Sequence, residues 1–215
     1  GAPDRSGAPG GGGASPSGRA PGATGAGTPV TARADSSSPR PAPLITDPLS
    51  FLPIPREYFP PIPVGNTPLW APVRLREELG LPNLFIKDDT CNPTFSYKDR
   101  ASYLVAAAAR CFGESAVTVA STGNAASSMA GVGAAAGLDV TIYVPANAPR
   151  AKLIQCLQYG ADVETVAGGY TEAFARSLEH TRRHGGINRN TGYNPLTIEG
   201  KKTSAIEMVA QLAGT

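Results

Sequence analysis

The first candidate for chemistry is Lys98, which stands at the predicted start of a helix. It follows Asn92–Ser96 (sequence NPTFS), in which the proline ends the preceding strand and the Asn, Thr and Ser are suited to capping a helix. The N-terminal end of a helix is positive, so it disfavours an ammonium ion and favours the neutral amine. An uncharged amine is what Schiff-base chemistry needs. The alternative is a surface lysine whose charge is offset by the adjacent Asp99.

The second candidate is the turn that follows a predicted strand at Ala116–Ala120 and leads directly into a helix. Backbone N–H groups and a helix N-terminus converge at such a turn, where they can receive a carboxylate or a phosphate. Its side chains add hydroxyl and amide donors. The alternative is a capped helix whose polar side chains satisfy only their own backbone. The predicted ligand-binding residues are Ser121, Thr122, Gly123, Asn124 and Ala125.

Together, these two candidates describe a site for one amino acid, held as an imine by the amine and by its carboxylate on the turn. Other sequence patterns give weaker evidence for a functional site. The run Gly131–Gly137 (GVGAAAG) lies inside a predicted helix, which favours close helix packing over dinucleotide binding. His180 and His184 lack a third ligand, so we expect no metal site but a solvated basic face. Cys91 is expected to be a buried structural thiol.

Short apolar strands alternate with helices from residue 84 onward, which calls for a parallel sheet with helices on both faces. The predicted fold class is therefore α/β, built as three-layer parallel sheets. Right-handed crossovers place every strand-to-helix turn along one edge of a sheet, where ligands bind. The predicted strands are Leu84–Lys87, Ala116–Ala120, Val140–Val144 and Val163–Val166, and the predicted helices are Asp99–Phe112, Asn124–Ala136, Arg150–Tyr159, Thr171–His184 and Thr197–Leu212.

The composition excludes several classes of protein. The 215 residues include 19 basic and 17 acidic ones, and the resulting net charge of +2 argues against partners such as nucleic acid or a membrane surface. No apolar run approaches the ~20 residues that a membrane span needs. The three cysteines form neither a CxxC pair nor an even framework, which favours a reducing, cytoplasmic location.

Composition also divides the chain. The first 50 residues hold 10 Gly and 9 Pro, so we expect a disordered Gly/Pro/Ala/Ser-rich tail over residues 1–47. Residues 48–100 are predicted to form a proline-rich arm, whose aromatic side chains dock on a core, and the start of a large domain. A small α/β domain follows at 101–195, and the large domain returns at 196–215. Because the sequence does not begin with methionine, we expect a piece of a longer protein.

Five motifs, occurring in order, resemble the threonine synthases, which belong to the tryptophan-synthase-β-like (fold type II) pyridoxal-phosphate enzymes. The resemblance covers residues 64–213. It implies that Lys98 forms a Schiff base with pyridoxal 5′-phosphate and that Asn124 binds the cofactor's ring hydroxyl. It also implies that residues 121–125 bind the substrate carboxylate. The motifs are Gly65–Leu69 (GNTPL), Lys87–Asp88, Asn92–Arg100 (NPTFSYKDR), Ser121–Asn124 (STGN) and Glu199–Thr203 (EGKKT).

The activity implied by the resemblance is a pyridoxal-phosphate-dependent lyase reaction in threonine biosynthesis. The enzyme would convert O-phospho-L-homoserine and water into L-threonine and phosphate, with a small amino acid as its partner. A homodimer is compatible with the family. Threonine or serine dehydratase and cysteine synthase share the lysine and the asparagine loop, and they stay open as alternatives. A truncated, non-catalytic paralogue that acts as a binding module is an alternative of a different class.

The sequence departs from the family pattern at several positions. Phe95 stands where the family usually has Gly, and Tyr97 stands where it has Phe. Thr197 occupies a place where threonine synthases often have Arg, which weakens the transfer of a phosphate-contacting role. The glycine-rich cup for the cofactor phosphate and the hydroxyl partner of the pyridine nitrogen normally lie after residue 215. We therefore expect this piece alone to be inactive.

Overall fold

The fold is described by a computed structural model over residues 47–213, apart from the side chain of Lys152. The predicted tail lies outside the described residues except for Asp47. Two short 3-10 turns, Pro48–Phe51 and Arg56–Tyr58, precede the regular elements. In chain order these elements are β1 (Leu69–Trp70), α1 (Val73–Leu79), β2 (Ile86–Lys87), α2 (Lys98–Phe112), β3 (Ala116–Ala120), α3 (Asn124–Ala136), β4 (Asp139–Pro145), α4 (Arg150–Gln158), β5 (Asp162–Val166), α5 (Tyr170–His184), β6 (Ile187–Asn188) and α6 (Leu196–Leu212).

A four-stranded sheet in the order β5-β4-β3-β6 forms the centre of the fold, and all its neighbouring strands pair in parallel. The register pairs Val117 of β3 with Val140 of β4 and with Ile187 of β6. Strand β3 is a nearly continuous apolar run that is buried from its second residue onward, as strands covered on both faces must be. The predicted α/β class with a parallel sheet is confirmed.

Helices α3, α4 and α5 cover the sheet and pack side chains against it. Helices α3 and α4 pack with the sheet and with each other, α5 packs on β3 and β4, and α2 lies against α3 and α6. Alanines make up much of the buried face of α2, including Ala101 and the run Ala106–Ala109. Small side chains allow the neighbouring helices to approach closely. Helix α2 ends at Gly113, whose φ of 73° places it in the left-handed region that suits a C-terminal glycine.

The proline-rich segment before β1 packs on α2. Ile54 and Phe59 are buried in the same core as the sheet, and the Phe59 ring lies 4.9 Å from the Tyr103 ring. The Tyr103 hydroxyl donates to the Pro60 carbonyl over 3.0 Å. Ile54 and Phe59 are therefore core residues, whereas Phe51 of the same arm is exposed. Their burial explains why a segment without regular secondary structure keeps a defined path.

The predicted elements agree with the structure to within a few residues at their ends. Three short ones were not predicted: α1 and the strands β1 and β6, of which β1 pairs with β2 in an antiparallel ribbon. Within residues 47–213, no helix combines the length and the apolar content that crossing a bilayer requires. The division into a small domain at 101–195 and a surrounding large domain stays a prediction.

Candidate active site

Lys98 opens helix α2, and its backbone N–H donates to the Ser96 hydroxyl over 3.1 Å. Ser96 is buried, so this hydrogen bond ties the start of α2 to the interior of the protein. The Lys98 amine is half-buried and lies 5.5 Å from the centre of the Tyr97 ring. Within residues 47–213, the Lys98 amine forms no ion pair. The amine is therefore available to a ligand.

Within the described residues, the Asp99 carboxylate forms its hydrogen bonds with the loop before α2 and not with the Lys98 amine. The Asp99 side chain is fully buried and turns back to the preceding loop, where one oxygen accepts from the Thr94 backbone N–H over 2.7 Å. The other carboxylate oxygen accepts from the Thr94 hydroxyl. Both oxygens of Asp99 thus hold the loop that leads into α2, and within residues 47–213 they form no ion pair with the Lys98 amine.

Phe95 adopts a backbone conformation that suits glycine. Its φ is +59°, in the left-handed region, and its side chain is 72% exposed. A side chain with a Cβ is strained in that region. The family resemblance places a glycine at this position, and the positive φ supplies the physical reason. Phe95 holds its conformation because its N–H donates to the Asn92 carbonyl over 2.8 Å, between buried Asn92 and buried Thr94.

A buried ion-pair network holds Arg100, two residues after Lys98. The Arg100 guanidinium donates to both carboxylate oxygens of Glu207, over 2.6 and 2.9 Å, and to both oxygens of Asp89, over 2.7 and 2.8 Å. Lys87 lies 2.6 Å from Glu207 and also donates to the Thr67 carbonyl. This network joins the β1–β2 ribbon, α2 and α6, so it fixes the position of the helix that begins at Lys98.

The same network shifts the pKa values of its members. Burial alone would raise the pKa of Glu207, but hydrogen bonds from Arg100 and Lys87 hold that pKa below its ordinary value. Burial would likewise raise the pKa of Asp89, and Arg100 and Thr67 hold it low. The two carboxylates raise the pKa of Arg100 despite its burial. All these groups are charged in the fold, where their geometry compensates the desolvation of each charge.

The motifs around residues 65–69 and 87–88 therefore position α2 and do not line its start. Thr67 is buried and donates to Asp89 over 2.7 Å, and the Asn66 N–H donates to Glu207 over 2.8 Å. A cavity of about 380 Å³ lies beside this network, between the arm and the α2–α6 pair. Residues 98 and 121–125 are not among those that line it, so this cavity does not include the two helix starts.

The turn at residues 121–125 links β3 to α3, as predicted. The Ser121 hydroxyl accepts from the Gly123 N–H over 3.2 Å, and Gly123 is the N-cap of α3. No side chain caps the helix at this residue, so N–H groups of its first turn are left for another acceptor. Asn124 is exposed, whereas Thr122 and Ala125 are half-buried. The Ser121–Gly123 hydrogen bond is one that the alternative of a self-satisfied, capped helix start also expects, so ligand binding at this turn stays a prediction.

A buried pair of serines joins α2 to α3. The Ser128 hydroxyl donates to the Ser102 hydroxyl over 2.8 Å. Ser102 is one helical turn after Lys98, and Ser128 is one helical turn after Asn124. The hydrogen bond therefore connects the first turns of the two helices that carry the predicted amine and the predicted anion receptor.

Helix α6 also approaches the start of α2. A Cβ atom at Gly200 would lie 2.3 Å from the Arg100 carbonyl oxygen and 3.1 Å from the Ala101 Cα, so only glycine fits there. The Tyr97 hydroxyl donates to the Lys201 carbonyl over 3.3 Å. Burial first, and then the charges of Arg189 and Lys98, lower the pKa of Lys201. These contacts place Lys201 next to the beginning of α2.

Arg189 follows β6 and has a buried guanidinium group. Its backbone N–H donates to the Thr118 carbonyl over 2.8 Å, and its Nε donates to the Ser102 hydroxyl over 3.3 Å. The side chain is 1% exposed, and its Nη2 has no hydrogen-bond partner within residues 47–213. Burial lowers the pKa of Arg189 to about 10, and Asp99 offsets this only in part. No sequence motif singled out this residue.

Three buried asparagines hold the segment around Arg189. Asn190 accepts from the Ala120 N–H over 2.8 Å and donates to the Ser177 hydroxyl over 2.7 Å. Asn188 donates to the Ser177 carbonyl, and Asn194 donates to the Asn188 carbonyl. The Ala120 N–H is at the end of β3, immediately before the turn at 121–125, so this cluster supports that turn from the neighbouring strand.

Several weaker sequence features have structural roles. A Cβ at Gly131 would lie 2.6 Å from Thr94 and one at Gly133 would lie 2.3 Å from Val140, which confirms close helix packing. The His180 ring nitrogen lies 3.0 Å from the Tyr143 hydroxyl. Within residues 47–213, no cluster of three potential metal ligands occurs. The prediction for Cys91 was wrong, because it is exposed at the end of a short 3-10 turn.

Comparison with known proteins places this geometry in a family. Residues 62–215 match the family model described as pyridoxal-phosphate dependent enzyme. The chain is 36% identical to a threonine synthase of Methanosarcina acetivorans over 165 residues, which are 75% of this chain and 40% of that protein. It is 34% identical to a threonine synthase of a Bacillus species over 166 residues, covering 76% of this chain and 46% of that protein.

A solved structure agrees with these relatives. The processed form of threonine deaminase isoform 2 from Solanum lycopersicum superposes with a TM-score of 0.61 at 27% identity, covering 67% of this chain and 40% of that one. The chain spans less than half the length of the curated relatives it matches. The cofactor of the family is pyridoxal phosphate, and the chain belongs to the family of pyridoxal-phosphate dependent enzymes.

Proposed function

We propose that this chain carries the cofactor-binding lysine and the substrate-carboxylate turn of a cytoplasmic threonine synthase, a lyase that converts O-phospho-L-homoserine and water into L-threonine and phosphate. One observation carries the proposal. In the part of the chain that the structure describes, an amine without an ion pair opens α2, a helix start whose N-cap is a glycine opens α3, and a serine pair one turn into each helix joins them.

Lys98 is assigned to hold the cofactor and to move protons. Its amine is half-buried and unpaired within residues 47–213, which suits a Schiff-base nucleophile. Lys98 would hold pyridoxal phosphate, and the same amine would be in place to accept the α proton of a bound amino acid and to return a proton later. A residue that alternates between base and acid must be free of a permanent counter-ion, and Asp99 is kept away from it by Thr94.

The turn at 121–125 is assigned to the substrate carboxylate and Asn124 to the cofactor's ring hydroxyl. The uncapped N-terminus of α3 offers backbone N–H groups and the positive end of the helix dipole. Asn124 is exposed at the first position of that helix, so its amide can reach a bound molecule. Pyridoxal phosphate, when bound, supplies an electron sink for the carbanion that proton removal leaves. The residues present therefore fit the cofactor.

A second candidate is a threonine dehydratase. It is favoured by the 27% identity to a threonine deaminase and by Thr197, which stands where the resemblance places a phosphate-contacting arginine. Water addition at the β carbon and phosphate loss are expected of the first candidate, whereas loss of ammonia to a keto acid is expected of the second. A homodimer stays a prediction for both.

The test uses the full-length protein that carries this sequence. The wild type is expected to show the absorption band of a lysine Schiff base with pyridoxal phosphate, and borohydride is expected to fix the cofactor to Lys98. Lys98→Ala should lose both signals. The control Lys202→Ala removes an exposed lysine that pairs with Glu199 and should keep both.

Two product assays then separate the candidates. Phosphate and threonine released from O-phospho-L-homoserine support the synthase, and keto acid released from threonine supports the dehydratase. Fixation of the cofactor to a lysine other than Lys98 would refute the assignment of the site.

A further inference from the structure

Three cations meet at the edge of the sheet where the two helix starts lie. Lys98 opens α2, Lys201 lies in the first turns of α6, and Arg189 follows β6. Burial and then the charges of Arg189 and Lys98 lower the pKa of Lys201, and the hydroxyl of Tyr97, the neighbour of Lys98 in the chain, donates to the Lys201 carbonyl over 3.3 Å. Within residues 47–213, none of the three forms an ion pair with a carboxylate.

Arg189 is the most unusual member of this cation cluster, defined as Lys98, Arg189 and Lys201. It is 1% exposed, yet among residues 47–213 its guanidinium donates only to the hydroxyls of Ser102 and Thr191, each at 3.3 Å. Its Nη2 has no partner in the described part of the chain. Buried charges in proteins are normally paired, because desolvation of an isolated charge is very unfavourable.

Arg100 shows what a structural arginine looks like in this same fold. It is also buried, but two carboxylates take its donors. Asp99 and Tyr170 act on Arg189 from a distance only, and both oxygens of Asp99 are already bonded to Thr94. Among the described residues, Arg189 therefore keeps an unused donor and a charge that is compensated only in part, as an anion-binding residue does before its ligand arrives.

We propose that Arg189 and Lys201 bind the anionic side-chain group of the amino-acid substrate, a phosphoryl group, next to Lys98. The substrate carboxylate is already assigned to the turn at 121–125, so the cation cluster is left for a second anion on the same molecule. The inference rests on the proposed function only for the amino-acid part of that molecule. The inference assigns positively charged side chains to the phosphoryl group. Thr197 is uncharged and cannot fill that role.

The test measures binding of inorganic phosphate and of O-phospho-L-homoserine to the full-length protein loaded with pyridoxal phosphate. Arg189→Met should weaken both by about 10- to 100-fold, because a charged hydrogen bond contributes roughly that much. Lys201→Gln should also weaken the binding of inorganic phosphate and of O-phospho-L-homoserine. Lys202→Gln is the matched control, since Lys202 is exposed and paired with Glu199, and its affinities should equal those of the wild type.

Further measurements distinguish phosphoryl binding by Arg189 from a structural role and from binding of the cofactor phosphate. Binding of the neutral amino acid L-threonine and the cofactor band should be unchanged in Arg189→Met. Its thermal midpoint should not fall, because the substitution removes an unpaired buried charge, whereas Arg189→Lys keeps the charge and should retain part of the phosphate affinity. Arg189→Met should change the affinity for pyridoxal phosphate and the affinity for pyridoxal, which lacks the phosphate, by the same factor.

Unchanged phosphate binding in Arg189→Met with a lower thermal midpoint would make Arg189 structural and overturn the proposal. A selective loss of affinity for pyridoxal phosphate over pyridoxal would give the cluster to the cofactor and also overturn it. If borohydride did not fix the cofactor to Lys98, the proposed function would fail, but phosphate binding by Arg189 and Lys201 would still be measured independently.

Discussion

The Ser128 hydroxyl donates a buried hydrogen bond of 2.8 Å to the Ser102 hydroxyl, and the same Ser102 oxygen accepts from Arg189. One side-chain oxygen thus links the helix that starts at Lys98, the helix that starts at Asn124 and the segment after β6. Groups that act on a single ligand must be held at fixed separations. This contact provides such a constraint one turn behind the reactive positions, where it does not interfere with the ligand.

Gly200→Ala is expected to destabilise the protein by about 1–3 kcal/mol, the range for overpacking in a close-packed contact. The added Cβ would lie 2.3 Å from the Arg100 carbonyl oxygen, which belongs to the α2 backbone and cannot move freely. Urea unfolding measures the change. Gly192→Ala is the control, because nothing lies within 4 Å of a Cβ there. Equal stabilities of the two variants would contradict the described packing of α6 on α2.

Glu207→Gln is expected to lower the free energy of unfolding by about 3–5 kcal/mol, as when one partner of a buried ion pair is removed. The substitution leaves Lys87 without its carboxylate and Arg100 with Asp89 alone. Glu172→Gln removes an exposed partner of Arg176 and should change the free energy by less than about 0.5 kcal/mol. A loss no larger than that of the control would mean that the network contributes little.

Acid should destabilise the protein through Glu207 and Asp89, whose pKa values are lowered in the fold. A lowered pKa stabilises the fold at every pH above the ordinary values of 4.5 for Glu207 and 3.8 for Asp89. That stability is lost as the pH falls through the lowered values. Free energies of unfolding measured from about pH 6 to pH 3 should therefore decrease, and less steeply in Glu207→Gln. Parallel profiles would exclude Glu207 as a source of the pH dependence.

Asn190→Ala should lower the free energy of unfolding by about 1–3 kcal/mol, because it leaves buried groups unpaired. The Ala120 N–H loses its acceptor and the Ser177 hydroxyl loses a donor. Hydrogen exchange at the Ala120 amide should become faster, which reports on the end of β3 directly. The exposed Asn147 is the control, and Asn147→Ala should leave that exchange rate unchanged.

The central sheet and its helices could be predicted because their periodicity is local. Strand β3 is apolar except for Thr118, and Asn124–Ala136 was predicted with both of its observed ends. Strand β6 is only 2 residues long, so it has no period to detect, and the polar segment after it gives no sign of burial. Its role depends on pairing with β3, which is distant in the chain.

Part of the candidate site could also be predicted, because it too depends on local sequence patterns. Lys98 and residues 121–125 stand at helix starts, which sequence patterns mark well. The partners of Arg100 and the isolation of Arg189 depend on contacts between residues up to 107 positions apart, such as Arg100 and Glu207. No local pattern distinguishes an arginine with two carboxylates from one with none, so only the three-dimensional arrangement shows which of them is free to bind an anion.

The hydrogen bond between Asn66 and Glu207 spans 141 residues, and this separation has a consequence for biosynthesis. A ribosome that adds about 5–20 residues each second needs on the order of ten seconds to make that stretch. During this interval the nascent chain already contains Lys87 and Arg100, but the acidic residue that neutralises both has not been translated. The ribbon and the start of α2 can reach their final arrangement only after nearly the whole of α6 has emerged from the exit tunnel.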